Sequence, residues 1–485
     1  MNPSSPVRPR LVLATCCLSL FLVMMDVTIV NVALPAIRAA LGGGLSMLQW
    51  VVDAYTLVVA TLLVLAGSTA DRIGRRRVFV CGIIVFCLGS ALCGLAPAGW
   101  ALVLARGFQG LGGAMLNPVA LSIIANVFVE PASRARAIGV WGAMSGLALA
   151  LGPLVGGILT TLVGWRAVFW VNLPVGALAL GLSLRFIPES RAVHVRPIDR
   201  AGQALVALIL AAATAALIEA RDYGWHAPAI RAGLAVAAVG LVVLYRVERR
   251  SRHPLLDLRF FRALPFSGAI VIAVCAFAIF SSFLFLNTLY LQEARGLSAM
   301  QAGLFTLPFA LGVVVCAPLS GRLVGARGAR LPLLLSACGL GSGALLLTGL
   351  TAATPPALLL LAYSLCGCGF GLCNAPITNS AVSGMPRDQA GLAAALASTS
   401  RQIGALLGVA LSGTMMGAHA VGGGAALAQA THRVWWLLVG LSGVVAGLGL
   451  VSTGERARAS ARVARGLFDD APIGGYRTDS TPPST

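Results

Sequence analysis

Lysine is absent from the 485 residues, and all 35 basic side chains are arginine. That absence excludes chemistry needing an amine. A phosphate-binding loop of the form G-x-x-x-x-G-K-[ST] cannot be written, so the chain does not hydrolyse ATP in that way, and no lysine can form a Schiff base. Histidine is also scarce: five residues (His194, His226, His253, His419 and His432) fall in or beside predicted loops and offer no zinc site or proton relay. The eleven cysteines include no C-x-x-C pair, and most lie inside apolar stretches (Cys16, Cys17, Cys87, Cys93, Cys275, Cys366 and Cys368). They read as small buried apolar residues, and neither a metal nor a cofactor is expected. Charge is the largest deficit. Only 11% of residues are charged, against about a quarter in a soluble domain. With 58% apolar residues and a mean hydropathy of +0.89, there is too little polar surface for a water-soluble body. A disulfide scaffold, a disordered chain and a soluble multidomain enzyme are excluded, and an all-α integral membrane protein is expected.

A helix needs about 20 mostly apolar residues to cross a bilayer. Fourteen runs qualify, at about 11–34, 46–70, 78–96, 100–122, 137–160, 167–187, 201–220, 229–246, 264–291, 299–321, 331–350, 356–381, 393–416 and 433–453. The first follows Arg8 and Arg10 as a signal peptide would, but it is too long and contains Asp26, so it reads as a retained helix. The net charge of +19 does not point to nucleic acid, whose binders gather charge on a soluble face. Here the arginines sit in short clusters between spans. Most fall on one side: Arg72, Arg75, Arg76 and Arg77, then Arg246 to Arg262, then Arg456 to Arg465. The other side collects Arg38, Arg166, Arg221, Arg231, Arg295 and Arg433. The positive-inside rule then places both termini in the cytoplasm. Arginine-only usage with abundant Ala and Gly fits a GC-rich bacterial coding sequence, and hence a bacterial cell membrane.

The chain also repeats itself. Gly44-Leu-Ser46-Met-Leu-Gln49 recurs as Gly296-Leu-Ser298-Ala-Met-Gln301, and Gly67, Gly74 and Arg76 are followed at similar spacing by Gly321, Gly328 and Arg330. Each copy starts outside, crosses one span and ends in an arginine-rich loop. Two parallel six-helix halves are the arrangement of rocking transporters. The expected organisation is a cytoplasmic N-terminus (1–10), a six-helix bundle (11–187), two inserted helices (201–246), a second six-helix bundle (264–453) and a disordered cytoplasmic tail (454–485).

Ionisable groups within spans cost at least a few kcal/mol and are functional candidates by default. Asp26, Asp53, Arg106 and Arg401 stand out. From the span ends, the first three are expected in one layer about 9–12 Å below the outer surface. Burial disfavours a charged carboxylate while a neighbouring Arg favours it, so a balanced carboxyl can exchange protons or attract a cation. The alternative is an Asp–Arg pair that only fixes packing. The loop from Gly67 through Asp71, Arg72, Gly74, Arg75, Arg76 and Arg77 either anchors topology or forms ion pairs that hold an inner gate. In the fifth span, Gly142/Gly146 and Gly152/Gly156 are both G-x-x-x-G, with Pro153 and Gly157 beside them. Such spacing brings helices close and serves packing, a hinge or a seal. Gly404, Gly408 and Ser412 form a packing stripe on the thirteenth span.

These residues resemble the major facilitator superfamily, specifically its fourteen-helix drug:proton antiporter branch, from about residue 11 to 453. Met25-Asp26-Val-Thr-Ile-Val-Asn31-Val-Ala-Leu-Pro35 resembles the branch's first-helix signature, and Gly67 to Arg77 the superfamily loop. Arg106-Gly-Phe-Gln109-Gly110 resembles the fourth-helix motif, and Gly146 with Gly152-Pro153-Leu-Val-Gly156-Gly157 the antiporter helix. Trp165-Arg166, Phe169, Asn172, Pro174, Tyr290-Leu291-Gln292 and Ser400-Arg401-Gln-Ile-Gly404 continue the likeness. The resemblance implies that Asp26 and Asp53 serve protons or cationic substrates, that Arg106 couples them, and that Asp71 with Arg72 belongs to the gate. It departs at Gly325, near where the second loop would match Asp71, and at Asp53, where many relatives carry a neutral residue. The reading is a proton-coupled exporter of small amphipathic, including cationic, drugs or antibiotics, with the lipid bilayer as its setting and neither ATP nor nucleic acid as a partner. The rivals are an uptake symporter or a carrier of one metabolite and, from another class, a membrane sensor or membrane-embedded enzyme.

Overall fold

A backbone in hydrocarbon must satisfy its own N–H and C=O groups, and apolar runs of this length do so as helices. The computed structural model describes residues 8–192, 199–251, 257–383, 385, 390–417 and 424–469. Among them there is no strand. Thirteen helices are long and apolar enough to span a membrane, and a shorter apolar helix, Arg330–Leu346, stands where the eleventh span is expected.

The first half comprises α1 (Pro9–Leu41), α2 (Leu45–Ile73), α3 (Arg75–Leu95), α4 (Gly99–Val127), α5 (Pro131–Leu162) and a sixth span divided into α6 (Ala167–Trp170) and α7 (Asn172–Phe186). The hairpin α8 (Arg200–Tyr223) and α9 (Pro228–Arg250) follows. A short 3-10 turn, Leu258–Arg262, leads into the second half. That half comprises α10 (Leu264–Leu289) with a π-helical extension Tyr290–Ala294, α11 (Ala299–Phe305), α12 (Leu307–Arg327), α13 (Arg330–Leu346), α14 (Pro356–Val382), α15 (Ala390–Met416) and α16 (Gly424–Val451). A final helix, α17, spans Glu455–Asp469.

The halves are packed alike. In the first, α5 lies on α1, and α4 lies against both α2 and α3; in the second, α15 lies on α10, and α14 against both α12 and α13. Glycines make both crossings possible. A Cβ on Gly156 would stand 3.0 Å from the Ile29 carbonyl oxygen of α1, and one on Gly404 2.8 Å from the Val274 Cα of α10. The bundles meet through α5 on α11 and α12, and through α2 on α15.

Two expectations need correction. α1 does not end before Pro35 but continues to Leu41 with Pro35 inside it. An internal proline removes one hydrogen bond and bends a helix, and here the helix continues beyond it. Asp26 therefore lies near the middle of α1, with about 22 Å of helix beyond it, rather than close to its end. The segment after residue 454 is not disordered throughout, because Glu455–Asp469 is helical. Its Ala457, Ala461 and Ala464 recur at helical spacing and are buried, and the Leu264 N–H donates to Ser460 Oγ at 3.0 Å. Residues 470–485 lie outside the described ones.

Candidate functional site

The interior of the first half holds a charged network. Arg106 of α4 donates from Nη1 to Asp26 Oδ2 of α1 at 2.6 Å. Asp26 Oδ1 accepts from Gln109 Nε2 at 2.9 Å and from Asn172 Nδ2 at 2.8 Å. Arg106 also donates to Gln109 Oε1 at 2.6 Å and, through Nε, to the Val51 carbonyl of α2 at 3.0 Å. Asn172 donates to Ser90 Oγ, which itself donates to the Phe169 carbonyl. Asp26, Gln109, Ser90 and Asn172 are fully buried and Arg106 nearly so. The guanidinium carbon lies 4.5 Å from the centre of the Tyr55 ring, so an aromatic face adds to the carboxylate in holding the cation. Four helices and the start of a fifth are tied here through one carboxylate and one guanidinium.

Asp53 is close in sequence to this network but outside it. Neither of its oxygens has a hydrogen-bond partner among the described residues, and the residue is fully buried. Its helical position explains this. Gln49, Asp53 and Ala60 follow four and seven residues apart on one face of α2, and both flanking residues meet the other half. Gln49 Nε2 donates to the Val409 and Ala410 carbonyls of α15, each at 2.9 Å, and Ala60 packs with Leu406 of α15 and Leu210 of α8. Asp53 therefore lies on the seam between the halves, whereas Asp26 and Arg106 lie within one of them. Arg401 is in neither group. It donates to Thr378 and Ser398 and stands 5.9 Å from the centre of the Phe277 ring in the second half.

The seam is closed at the end away from the main arginine clusters. Arg38 pairs with Glu293 at 3.1 Å, Gln292 Nε2 donates to the Val32 carbonyl at 2.8 Å, and the Met300 N–H donates to Thr161 Oγ1 at 3.3 Å. A Cβ on Gly157 would stand 2.6 Å from the Ala299 carbonyl oxygen. Gly303 meets the Pro153 carbonyl, and Gly152 lies on Thr28 of α1. Thus Gly152 and Gly156 join α5 to its own half, and Pro153 and Gly157 join it to the other. Gly146 meets Val314 at 3.4 Å, and Gly142 faces open space. Toward the arginine-rich end Gly139 of α5 and Gly321 and Gly325 of α12 also face open space.

The loop expected to gate that end pairs with its own half. Arg75 bonds Asp71 at 2.9 Å. The Arg76 N–H donates to Glu189 Oε1 at 3.1 Å, and the Arg76 side chain donates to the Leu184 carbonyl. The Arg75 N–H donates to the Ser190 carbonyl, and the Ala192 N–H to the Asp71 carbonyl. Gly74 adopts φ +124°, a left-handed conformation that favours glycine, with Glu189 packed where a Cβ would stand. Gly67 lies 3.7 Å from Pro118 of α4 by the same measure. Arg72 also has a partner. Among the described residues an ion pair that joins the halves is Arg38–Glu293, which sequence reasoning did not single out. Gln49, Gln109, Asn172 and Ser90 were likewise not chosen as site residues. Gln109 had a readable signal, since residues three apart on a helix are neighbours and it follows Arg106 by three.

Comparison with known proteins agrees with this architecture. The sequence profile of the Major Facilitator Superfamily matches residues 16–409. The chain is 40% identical to the multidrug resistance protein Stp of Mycobacterium tuberculosis, covering 83% of this chain and 74% of that one. It is 36% identical to the methylenomycin A resistance protein of Streptomyces coelicolor, covering 86% and 88%. It is 33% identical to the tetracenomycin C resistance and export protein of Streptomyces glaucescens, covering 84% and 76%. Among solved structures, a peptide transporter POT in complex with sulfate superposes with a TM-score of 0.67 over 94% of this chain and 95% of that one, at 16% identity. A bacterial homologue of the human lysosomal transporter Spinster, in an inward-facing conformation, gives 0.66 over 96% and 99%, at 18% identity. These two likenesses concern the fold. The chain, a multi-pass helical membrane protein, belongs to the Major Facilitator Superfamily.

Proposed function

We propose that the protein is a proton-coupled exporter of small amphipathic compounds, drugs or antibiotics among them, which works by rocking its two halves about the seam. It is a transporter rather than an enzyme, and it uses neither ATP nor nucleic acid. The arginine-rich end with both termini is the cytoplasmic one, and the membrane is the bacterial cell membrane. The names of the relatives, all of them resistance or export proteins, support export of a small molecule.

The observation that carries the coupling is Asp53, buried on the seam with no partner among the described residues. Closing the outer end over an ionised carboxylate would bury an unpaired charge, at a cost of about several kcal/mol. Closure is therefore favoured once Asp53 has taken a proton from the outer side. Opening to the cytoplasm lets that proton leave and a substrate, cationic ones included, take its place. Protons moving inward thus reset the carrier for the next export step. Asp26 and Arg106 are read as the positioning pair. Arg106 holds the Val51 carbonyl, two residues from the Gln49 that docks α2 on α15, so protonating Asp26 would loosen the seal through α2. Both Asp26 oxygens already accept from first-half donors, so a substrate cation would compete with Arg106 for the carboxylate. Arg401, beside Phe277, is read as a substrate contact in the second half. The Gly67–Arg76 loop is read as the cytoplasmic gate, whose pairs exchange when that end closes.

Inverted vesicles with an imposed proton gradient test this. Wild type should accumulate a fluorescent cationic dye and lose it on adding a protonophore. Asp53→Asn should fold normally and lose gradient-driven accumulation. Undiminished accumulation in that variant would remove the coupling assignment, and failure of every compound tried would return the sensor reading.

A further inference from the structure

The inserted hairpin borders two spaces to which the proposed transport step assigns no role. Where α9 ends and the Leu258–Arg262 turn begins, a cleft of about 620 Å³ is lined by Tyr245, Arg249, Phe261 and Arg262, together with the acids Glu248 and Asp257 and with Arg259. Glu248 is buried and has a partner of its own. Its cations are not equivalent. Arg259 is committed to Asp257 at 2.8 Å. Arg249 and Arg262 are exposed and have no carboxylate partner among the described residues. Among the described residues Arg249 donates to the Tyr245 hydroxyl at 3.5 Å and stands 5.6 Å from the centre of its ring.

Phe261 also lines a second space of about 190 Å³, which runs between α8 and α9 on one side and α2 and α15 on the other. Its walls include Val64, Leu210, Leu244 and Ile403. Val239, Leu241 and Val242 leave an apolar, exposed face on α9 beside it. Two guanidiniums with no carboxylate partner among the described residues, at the arginine-rich end, therefore adjoin an apolar slot between the hairpin and the seam. A single ligand with an anionic head and a hydrocarbon chain matches both parts, as basic pockets beside spans match anionic head groups.

We infer that this junction binds one anionic glycerophospholipid of the surrounding leaflet. Its phosphodiester would lie between Arg249 and Arg262, and an acyl chain would pass Phe261 into the slot. The lipid would then fill the space between the inserted hairpin and the seam, touching α2 of one half and α15 of the other. The two additional helices thereby form the outer wall of a lipid site at the moving interface.

Native mass spectrometry of the full chain in delipidated micelles tests the site with palmitoyl-oleoyl phosphatidylglycerol and the phosphatidylcholine of the same chains. Wild type should retain one phosphatidylglycerol in preference to phosphatidylcholine, and Arg249→Gln/Arg262→Gln should lose about tenfold of that preference. Val64→Trp keeps both arginines but fills the slot, and it should also lower phosphatidylglycerol retention. Equal retention of the two lipids by wild type, or an unchanged preference in the double variant, would overturn the inference. So would unchanged retention in Val64→Trp, which would leave a head-group contact without a chain site. Displacement of the lipid by millimolar glycerol 3-phosphate would overturn it as well, showing that a soluble phosphate suffices.

Discussion

The interiors of the two halves solve the same packing problem with opposite chemistry. In both, a glycine of the fourth helix lets it close on the second: a Cβ on Gly110 would stand 2.8 Å from the Tyr55 carbonyl oxygen, and one on Gly367 would meet the Phe309 carbonyl. Behind that shared crossing the first half buries Asp26, Arg106, Gln109 and Asn172. The second buries rings instead. Phe280 stacks on Phe370 with centroids 4.3 Å apart, Phe283 on Phe309 at 4.5 Å, and Tyr363 meets Phe283 edge-on at 5.2 Å. Backbone geometry is thus preserved by small residues, while the side chains behind it are free to differ. A buried ion pair is weak evidence for stability, and an aromatic cluster contributes stability without any charge to satisfy. The first half buries a hydrogen-bonded ion pair, and the second packs by apolar contact between rings.

That contrast can be broken most directly at Arg106. Arg106→Ala leaves Asp26 buried without its cation and should cost about 3–5 kcal/mol, read by unfolding in mixed micelles. Asp26→Asn/Arg106→Gln removes both charges and should recover most of that loss while transport stays absent. Recovery of transport would show the pair to be dispensable. At the shared crossing the halves should respond alike. Gly110→Ala and Gly367→Ala each force a methyl onto a carbonyl and should each cost about 1–3 kcal/mol, and a large difference would deny the common packing. In the aromatic half the effects should be smaller. Phe280→Leu loses ring stacking worth about 0.5–1.5 kcal/mol, and Tyr363→Phe loses the bond to Asn287, worth about 1 kcal/mol. Neither should alter the dependence of dye transport on the proton gradient. The smallest change in stability belongs to Asp53→Asn, which breaks no hydrogen bond. Its melting temperature should match wild type even though coupled transport is lost, and a marked drop would reveal a partner for this carboxyl.

The repeat shows how far sequence alone reached. Gly-Leu-Ser-x-x-Gln marks the start of a helix in both halves, and in the second copy Ser298 and Gln301 form a reciprocal cap on α11. In the first copy α2 begins at Leu45, so Ser46 and Gln49 are already inside the helix and turn outward to other elements. Ser46 donates to Asp222 of α8, and Gln49 to α15. One motif therefore predicted the location of both helix starts but not the two uses. Gly152 and Gly156 behaved as their spacing suggests, whereas Gly142 has nothing against it. Spacing states which face is smooth, not whether a neighbour arrives there.

What the sequence determined by itself was the membrane environment, the number and order of apolar runs, the duplication and the four ionisable candidates. Each of these depends on local composition, because a helix in hydrocarbon closes its own hydrogen bonds and a span is set by length. Only the tertiary structure decided that Asp26 is paired within one bundle while Asp53 lies between two, with no hydrogen-bond partner among the described residues. Pairing and burial are set by helices that meet in space but lie far apart along the chain, as Asp26, Arg106 and Asn172 do, and no run of neighbouring residues encodes that meeting.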